Sequence, residues 1–148
     1  MINENVKVTG KLLVQLFDEN GLLKEKREIN NLVVTAGKNF IASRMTGAAS
    51  AVMSHMAVGT GTIAPAAANT TLGAEIAGSR VALTTATTAA NVVSYATTFN
   101  PGVGTGAVTE AGIFNDASAG TMLARTTFAV VNKGAADTLT INWTVTVN

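Results

Sequence analysis

Thr138-Leu139-Thr140-Ile141-Asn142-Trp143-Thr144-Val145-Thr146-Val147 alternates from end to end. Leu139, Ile141, Trp143, Val145 and Val147 fall on one face; Thr138, Thr140, Asn142, Thr144 and Thr146 fall on the other. A strict period of two marks a half-buried strand, because successive side chains of a strand point to opposite sides. The apolar face belongs in a core, where Trp143 alone can bury about 200 Å². The threonine face is free for solvent or a partner.

The same alternation opens the chain. Val6, Val8, Gly10, Leu12, Val14 and Leu16 stand against mostly polar Lys7, Thr9, Lys11 and Gln15. Asp18-Glu19-Asn20-Gly21 is a turn, with glycine available for the left-handed position. The return segment, Leu22 to Asn31, carries Lys24, Glu25, Lys26, Arg27 and Glu28. Acidic residues interrupt the basic ones and no aromatic lies nearby, so this is a solvated or charge-protected strand rather than a nucleic-acid patch. Residues 1–31 therefore form a charged N-terminal hairpin or arm.

Between these ends the punctuation is regular. Eight strands are expected, at Val6–Phe17, Leu22–Asn30, Val52–Val58, Arg80–Thr87, Asn91–Phe99, Ala107–Asn115, Thr121–Val131 and Thr138–Val147. One short helix interrupts them, capped by Thr35 and ended by Gly47, with Ala36, Phe40, Ile41 and Met45 near helical spacing. A single turn of helix is expected at Leu72–Ile76, with Glu75 near its positive end. This pattern points to a mainly β, single-domain chain over 1–148, an antiparallel β-sandwich of jelly-roll type; other eight-stranded sandwiches fit equally well.

At 148 residues the chain is long enough to fold without staples, and it has no cysteine, hence no disulfide or thiolate metal site. Apolar runs stop short of the roughly 20 residues a membrane helix needs, and Asn3, Glu4 and Asn5 occupy the place of a signal-peptide core. Net charge is +1, too small to steer the protein to nucleic acid or a membrane. Its distribution says more. Twelve charged residues lie between Glu4 and Arg44, and only seven follow: Glu75, Arg80, Glu110, Asp116, Arg125, Lys133 and Asp137. A surface so poor in charge suits contact with other protein, and equally a threonine-rich sandwich standing alone.

The residues that invite chemistry lack partners. His55 is the only histidine, and neighbouring Ser54 is expected on the opposite face of its strand, so a structural or surface role follows. Gly59-Thr60-Gly61 lacks both the third glycine of a dinucleotide loop and the Gly-Lys-Ser/Thr of a phosphate loop, and reads as a strand-ending turn. Pro101-Gly102-Val103-Gly104-Thr105-Gly106 is a flexible turn with no lysine. Glu75, Glu110 and Asp116 offer a carboxylate pair of glycosidase type, but an ion pair of Glu110 with Arg125, or hydrogen bonds from Gly-rich turns to Glu110, is more economical. No catalytic residue, cofactor or metal is assigned. Aromatics are too few for a carbohydrate platform, with Tyr95 the one moderate candidate.

The passage His-Met-Ala-Val-Gly-Thr-Gly-Thr-Ile-Ala-Pro from His55 to Pro65, then Asn-Thr-Thr-Leu-Gly-Ala-Glu-Ile and Ser-Arg-Val-Ala-Leu, resembles virion structural proteins of tailed bacteriophages. So does Thr-Glu-Ala-Gly-Ile-Phe at Thr109–Phe114 with Met122-Leu123-Ala124-Arg125 after it. The resemblance covers roughly Leu32 to Val147. It implies a non-enzymatic capsid decoration (cement) protein that bridges major capsid subunits, sits on the capsid exterior after synthesis in the host cytoplasm, and forms a homodimer or homotrimer. Tail, collar and tail-fibre attachment proteins carry similar passages, and the alternative is an adaptor of that kind; the end at Asn148 favours cement. A carbohydrate-binding or hydrolytic host-surface module is the outsider. Contact is expected through the hairpin (Lys24, Lys26, Arg27, Glu28), the Gly-rich loop (Ile63, Pro65) and the threonine face (Thr140, Thr144).

Overall fold

A computed structural model describes residues 2–148. Its elements are β1 (Val8–Phe17), β2 (Leu23–Val33), α1 (Thr35–Arg44), β3 (His55–Gly59), β4 (Val81–Ala82), β5 (Thr85–Ala89), β6 (Val92–Phe99), β7 (Gly106–Phe114), β8 (Met122–Lys133) and β9 (Thr138–Val147). They form one antiparallel sheet in the order β4-β3-β7-β8-β2-β1-β9-β6-β5, curled into a half-barrel. Mainly β with one helix is thus what the periodicity predicts. The strand count rises to nine because Arg80–Thr87 is not one strand. It breaks at Leu83–Thr84, where the chain leaves one end of the sheet order and enters the other, with Leu83 N–H donating to Ser54 and Thr84 N–H to Ala96.

The alternating residues do what their period requires. Leu12, Val14 and Leu16 of β1 meet Trp143, Ile141 and Leu139 of β9 in register, and all six are buried. Trp143 is 0 % exposed, and Tyr95 and Val93 of β6 pair across to it and to Val145. Full burial of each such side chain stabilises by about 1.5–3 kcal/mol. Val147 leaves the core at the strand's end and is exposed. The N-terminal hairpin forms as read, and it is built into the centre of the sheet, β1 lying between β2 and β9.

β2 changes partners along its length. Leu23 to Asn31 pairs with β1, and only Leu32 and Val33 pair with β8. Helix α1 follows at once and lies on β8, where Gly37 rests on the backbone of Leu123 with no space for a Cβ. Its start differs from expectation: the cap position is Val34, with no side-chain cap, and Thr35 N–H instead donates to Ala67. Gly47, at φ +69°, lies beyond its end, where its N–H donates to Arg44 O.

One half of the sheet is covered on its outer side and the other is bare. Over β3, β7 and β8 lies the segment 60–79, with Leu72 buried against Phe114, Met122, Ala57 and Val34 in a second small core. The outer face of β2, β1, β9, β6 and β5 carries cross-strand ranks of residues that are polar or small except for Leu13. One rank runs Asn30, Lys11, Thr144, Ser94, Thr87, and another runs Glu28, Leu13, Asn142, Ala96, Thr85.

Candidate functional site

The most concentrated polar arrangement lies under the segment 60–79. Glu110 sits on β7, two residues before Gly112, which is paired with Arg125 of β8, so both side chains emerge from the covered outer face. Glu110 is 0 % exposed and Arg125 is 2 % exposed. Arg125 donates from Nε (3.0 Å) and Nη2 (2.8 Å) to Glu110 Oε2. Gly73 N–H adds a third bond to that oxygen at 2.9 Å, while Oε1 accepts from Gly61 N–H at 3.0 Å and Ala74 N–H at 2.7 Å. Five donors surround one carboxylate.

The other arm of Arg125 holds the same segment. Nη1 donates to Asn69 Oδ1 at 3.0 Å and Nη2 to the Ile63 carbonyl at 3.0 Å; Asn69 Oδ1 also accepts from Ala66 N–H. Thr109 Oγ1 donates to the Gly61 carbonyl. A loop's backbone groups must find partners when it covers an apolar face, and here three side chains of the sheet, Glu110, Arg125 and Thr109, supply them.

The glycine pattern follows from this contact. A Cβ on Gly61 would lie 2.5 Å from Glu110 Oε1, and one on Gly59 equally close to the same oxygen. The Gly61 amide thus does bind an anion, the chain's own carboxylate, while Thr60 N–H donates to the Ala74 carbonyl. The strand does end at Gly59, as expected, but Thr60 and Gly61 lie in irregular loop and not in a turn. Leu72–Ile76 is not helical; Glu75 forms an antiparallel bridge with Gly59, and its carboxylate takes Arg80 Nε and Nη2 at 3.0 and 2.7 Å. Arg80 lies over the Phe114 ring, 3.6 Å from its centroid, and donates to the carbonyls of Asp116 and Ala119.

The electrostatics leave Glu110 ionised. Burial by itself raises its pKa, but the amides of Ala74 and Gly73, Arg125 and the Gly61 amide together hold it below the ordinary carboxylate value. A general acid at neutral pH needs the opposite shift, and a general base needs a free lone pair. Glu110 has neither, so the arrangement is one that fastens a loop.

Other candidates are also accounted for. Ser54 and His55 do meet, Oγ to Nδ1 at 2.8 Å, because Ser54 lies just before β3 and escapes its alternation. Among the described residues no carboxylate hydrogen-bonds to His55 to orient it. Among the described residues no group of three or more His, Asp or Glu lies close enough to hold a metal, and no helix is long and apolar enough to cross a membrane. Tyr95 is half-buried and packs against the core.

The eight expected contact residues fall into separate regions. Lys26, Glu28, Thr140 and Thr144 share the bare outer face, with Lys26 and Thr140 both registered on Gln15. Lys24 pairs with Asp137 at 2.9 Å. Arg27 has the inward parity and reaches across to the Val130 carbonyl at 3.1 Å and to Glu25. Ile63, 81 % exposed, and half-buried Pro65 stand on the clamped segment. Sequence reading anticipated the Glu110–Arg125 contact but missed Asn69 and Lys133. Lys133 is buried and donates to the carbonyls of Asn100 and Asp137 at 3.1 and 2.7 Å. Asn69 lies in the loop between β3 and β4 and Lys133 is the last residue of β8.

Compared with known proteins, the chain matches no family model, no curated protein and no solved structure.

Proposed function

We propose that this protein is a non-enzymatic structural protein of a tailed-phage virion, a capsid decoration (cement) protein that bridges major capsid subunits on the capsid exterior. The observation that carries the reading is where the charges go. Of the seven charged residues after Met45, Glu110, Arg125, Lys133 and Asp137 are buried, and Glu75 and Arg80 neutralise each other. Among the described residues Asp116 alone of the seven is neither buried nor ion-paired. A surface of threonine, alanine and serine over two thirds of the chain is suited to being covered by protein, since covering it desolvates few charges.

Such a protein acts by area. Ile63 on its clamped loop and the Lys26, Glu28, Thr140 and Thr144 face are two contact regions on different parts of the sheet, able to meet different neighbours. Modest contacts repeated on a symmetric lattice multiply into tight attachment. The protein is read as a homodimer or homotrimer made in the host cytoplasm, with neither nucleic acid nor membrane as partner. The curled sheet is read in finer terms as a jelly-roll-like β-sandwich, whose layers β2-β1-β9-β6-β5 and β4-β3-β7-β8-β2 share β2 as a corner; the change of partner along β2 supports it.

Imaging labelled protein on virions tests the assignment. Label over the whole head is expected. Label at a single vertex would replace it with a tail or collar adaptor, and binding to host glycans without binding to particles would replace it with a host-surface module.

A further inference from the structure

The sheet exposes unpaired backbone groups in three places, and two of them are guarded. β4 has two residues, and the Ala82 carbonyl accepts from Thr97 Oγ1 at 2.8 Å. Along the opening between β2 and β8, Arg27 donates to the Val130 carbonyl and Glu25 accepts from Asn132 N–H, within a strand of five consecutive charged residues. β5 has no guard. Its five residues, Thr85-Ala86-Thr87-Thr88-Ala89, are all exposed and ladder only to β6. Among the described residues, none of the five makes a hydrogen bond outside that ladder. No charged residue occurs anywhere from Val81 to Thr109, and no proline or bulge interrupts β5. Edge strands of soluble proteins ordinarily carry one of these devices, because an open edge recruits another strand.

We propose that β5 is a self-pairing edge: two copies of the chain join antiparallel at Thr85–Ala89, on a two-fold axis at Thr87. The chemistry of the strand selects a second copy over a foreign strand. Recognition of a different peptide by strand addition takes its specificity from pockets for alternate side chains or from flanking charge, and β5 supplies neither. A two-fold contact places each residue against its own kind or its mirror position: Thr87 on Thr87, Thr85 on Ala89, Ala86 on Thr88. Any charge there would face a like charge, and there is none. Every side chain is Ala or Thr, so the pairing also meets no bulk. The joined sheets would carry the Thr144, Ser94, Thr87 rank unbroken across both copies.

The inference gives the homo-oligomer proposed above a two-fold form and rests on that part of the reading alone; a dimer that fails to bind particles would overturn the virion assignment and leave this pairing standing. Sedimentation equilibrium of the full chain should show a dimer. Ala86→Lys/Thr88→Lys, which sets four ammonium groups along the seam, should raise its dissociation constant at least tenfold, with an unchanged urea midpoint at concentrations low enough for both proteins to be monomers. Because the chain has no cysteine, Thr87→Cys provides a second readout: opposed positions of an antiparallel pair lie about 4.5–5.5 Å apart, within disulfide range. Oxidation should convert Thr87→Cys to a covalent dimer while Glu19→Cys in the distant turn stays largely uncrosslinked. A monomer at all concentrations, a trimer, a dimer indifferent to the lysines, or Thr87→Cys crosslinking no better than the control would each overturn the proposal.

Discussion

Glu110 and Arg125 are joined through one oxygen: Nε and Nη2 of the arginine both donate to Oε2, leaving Oε1 for the amides of Gly61 and Ala74. The pair is buried, and it ties two sheet strands to a segment that would otherwise cover them loosely. Removing one member strands the other. Glu110→Ala should cost about 3–5 kcal/mol, the usual penalty for an uncompensated buried charge, measured by urea denaturation with Trp143 fluorescence as probe. The double variant Glu110→Leu/Arg125→Met should not regain wild-type stability, because three backbone N–H groups stay unpartnered.

Stability should follow pH in a stated direction. Glu110 is held low by the amides and Arg125 that outweigh its burial, and Asp137 is held low by the Lys24 ammonium and the Gly134 amide. For a carboxylate with a depressed folded pKa, the unfolded chain binds more protons between the two pKa values, so stability rises with pH through that window. The contribution is complete above the ordinary carboxylate pKa of about 4 and is lost as pH falls through the folded value. Urea midpoints taken from pH 7 downward should fall on the acid side in the wild type and fall less in Glu110→Gln.

Gly61→Ala should destabilise by about 1–3 kcal/mol, the range for forcing extra volume into a packed site, although its position on a loop would suggest tolerance. Thr60→Ala, between the two glycines and exposed, should change stability by less than about 0.5 kcal/mol. Thermal denaturation of the pair checks the contrast.

Ile63→Glu separates stability from contact. Its side chain is free in solution, so the urea midpoint should stay within error, while sedimentation with purified heads should show binding lost. Retained binding would remove the loop from the contact surface.

How much of this was legible depends on the range of the interactions. The strands of Leu12, Val14, Leu16 and of Leu139, Ile141, Trp143 announce themselves because burial on one face imposes a local period. The break at Leu83–Thr84 does not, since it comes from the ends of the sheet meeting there, a long-range event in a run of uniform small residues. Glu110 and Arg125 were recognisable as partners because a short turn joins their strands. That Gly-rich turns bond Glu110 was also legible, but which amides do so, Gly61, Gly73 and Ala74, was not, since backbone amides carry no residue label and the glycines that make room for the carboxylate look like any turn. Ser54 misled for a local reason: the expected strand began at Val52, three residues before the His55 that opens β3, and alternation was extended over residues that no strand enforces.

Hydrogen exchange at the Gly61, Gly73 and Ala74 amides tests most directly whether Glu110 fastens the loop. The account predicts that in the wild type at neutral pH these three exchange far more slowly than exposed Thr62 and Thr70, and that Glu110→Gln releases them while the amides of β9 stay protected. Rapid exchange of the three in the wild type, or equal protection in Glu110→Gln, would contradict it.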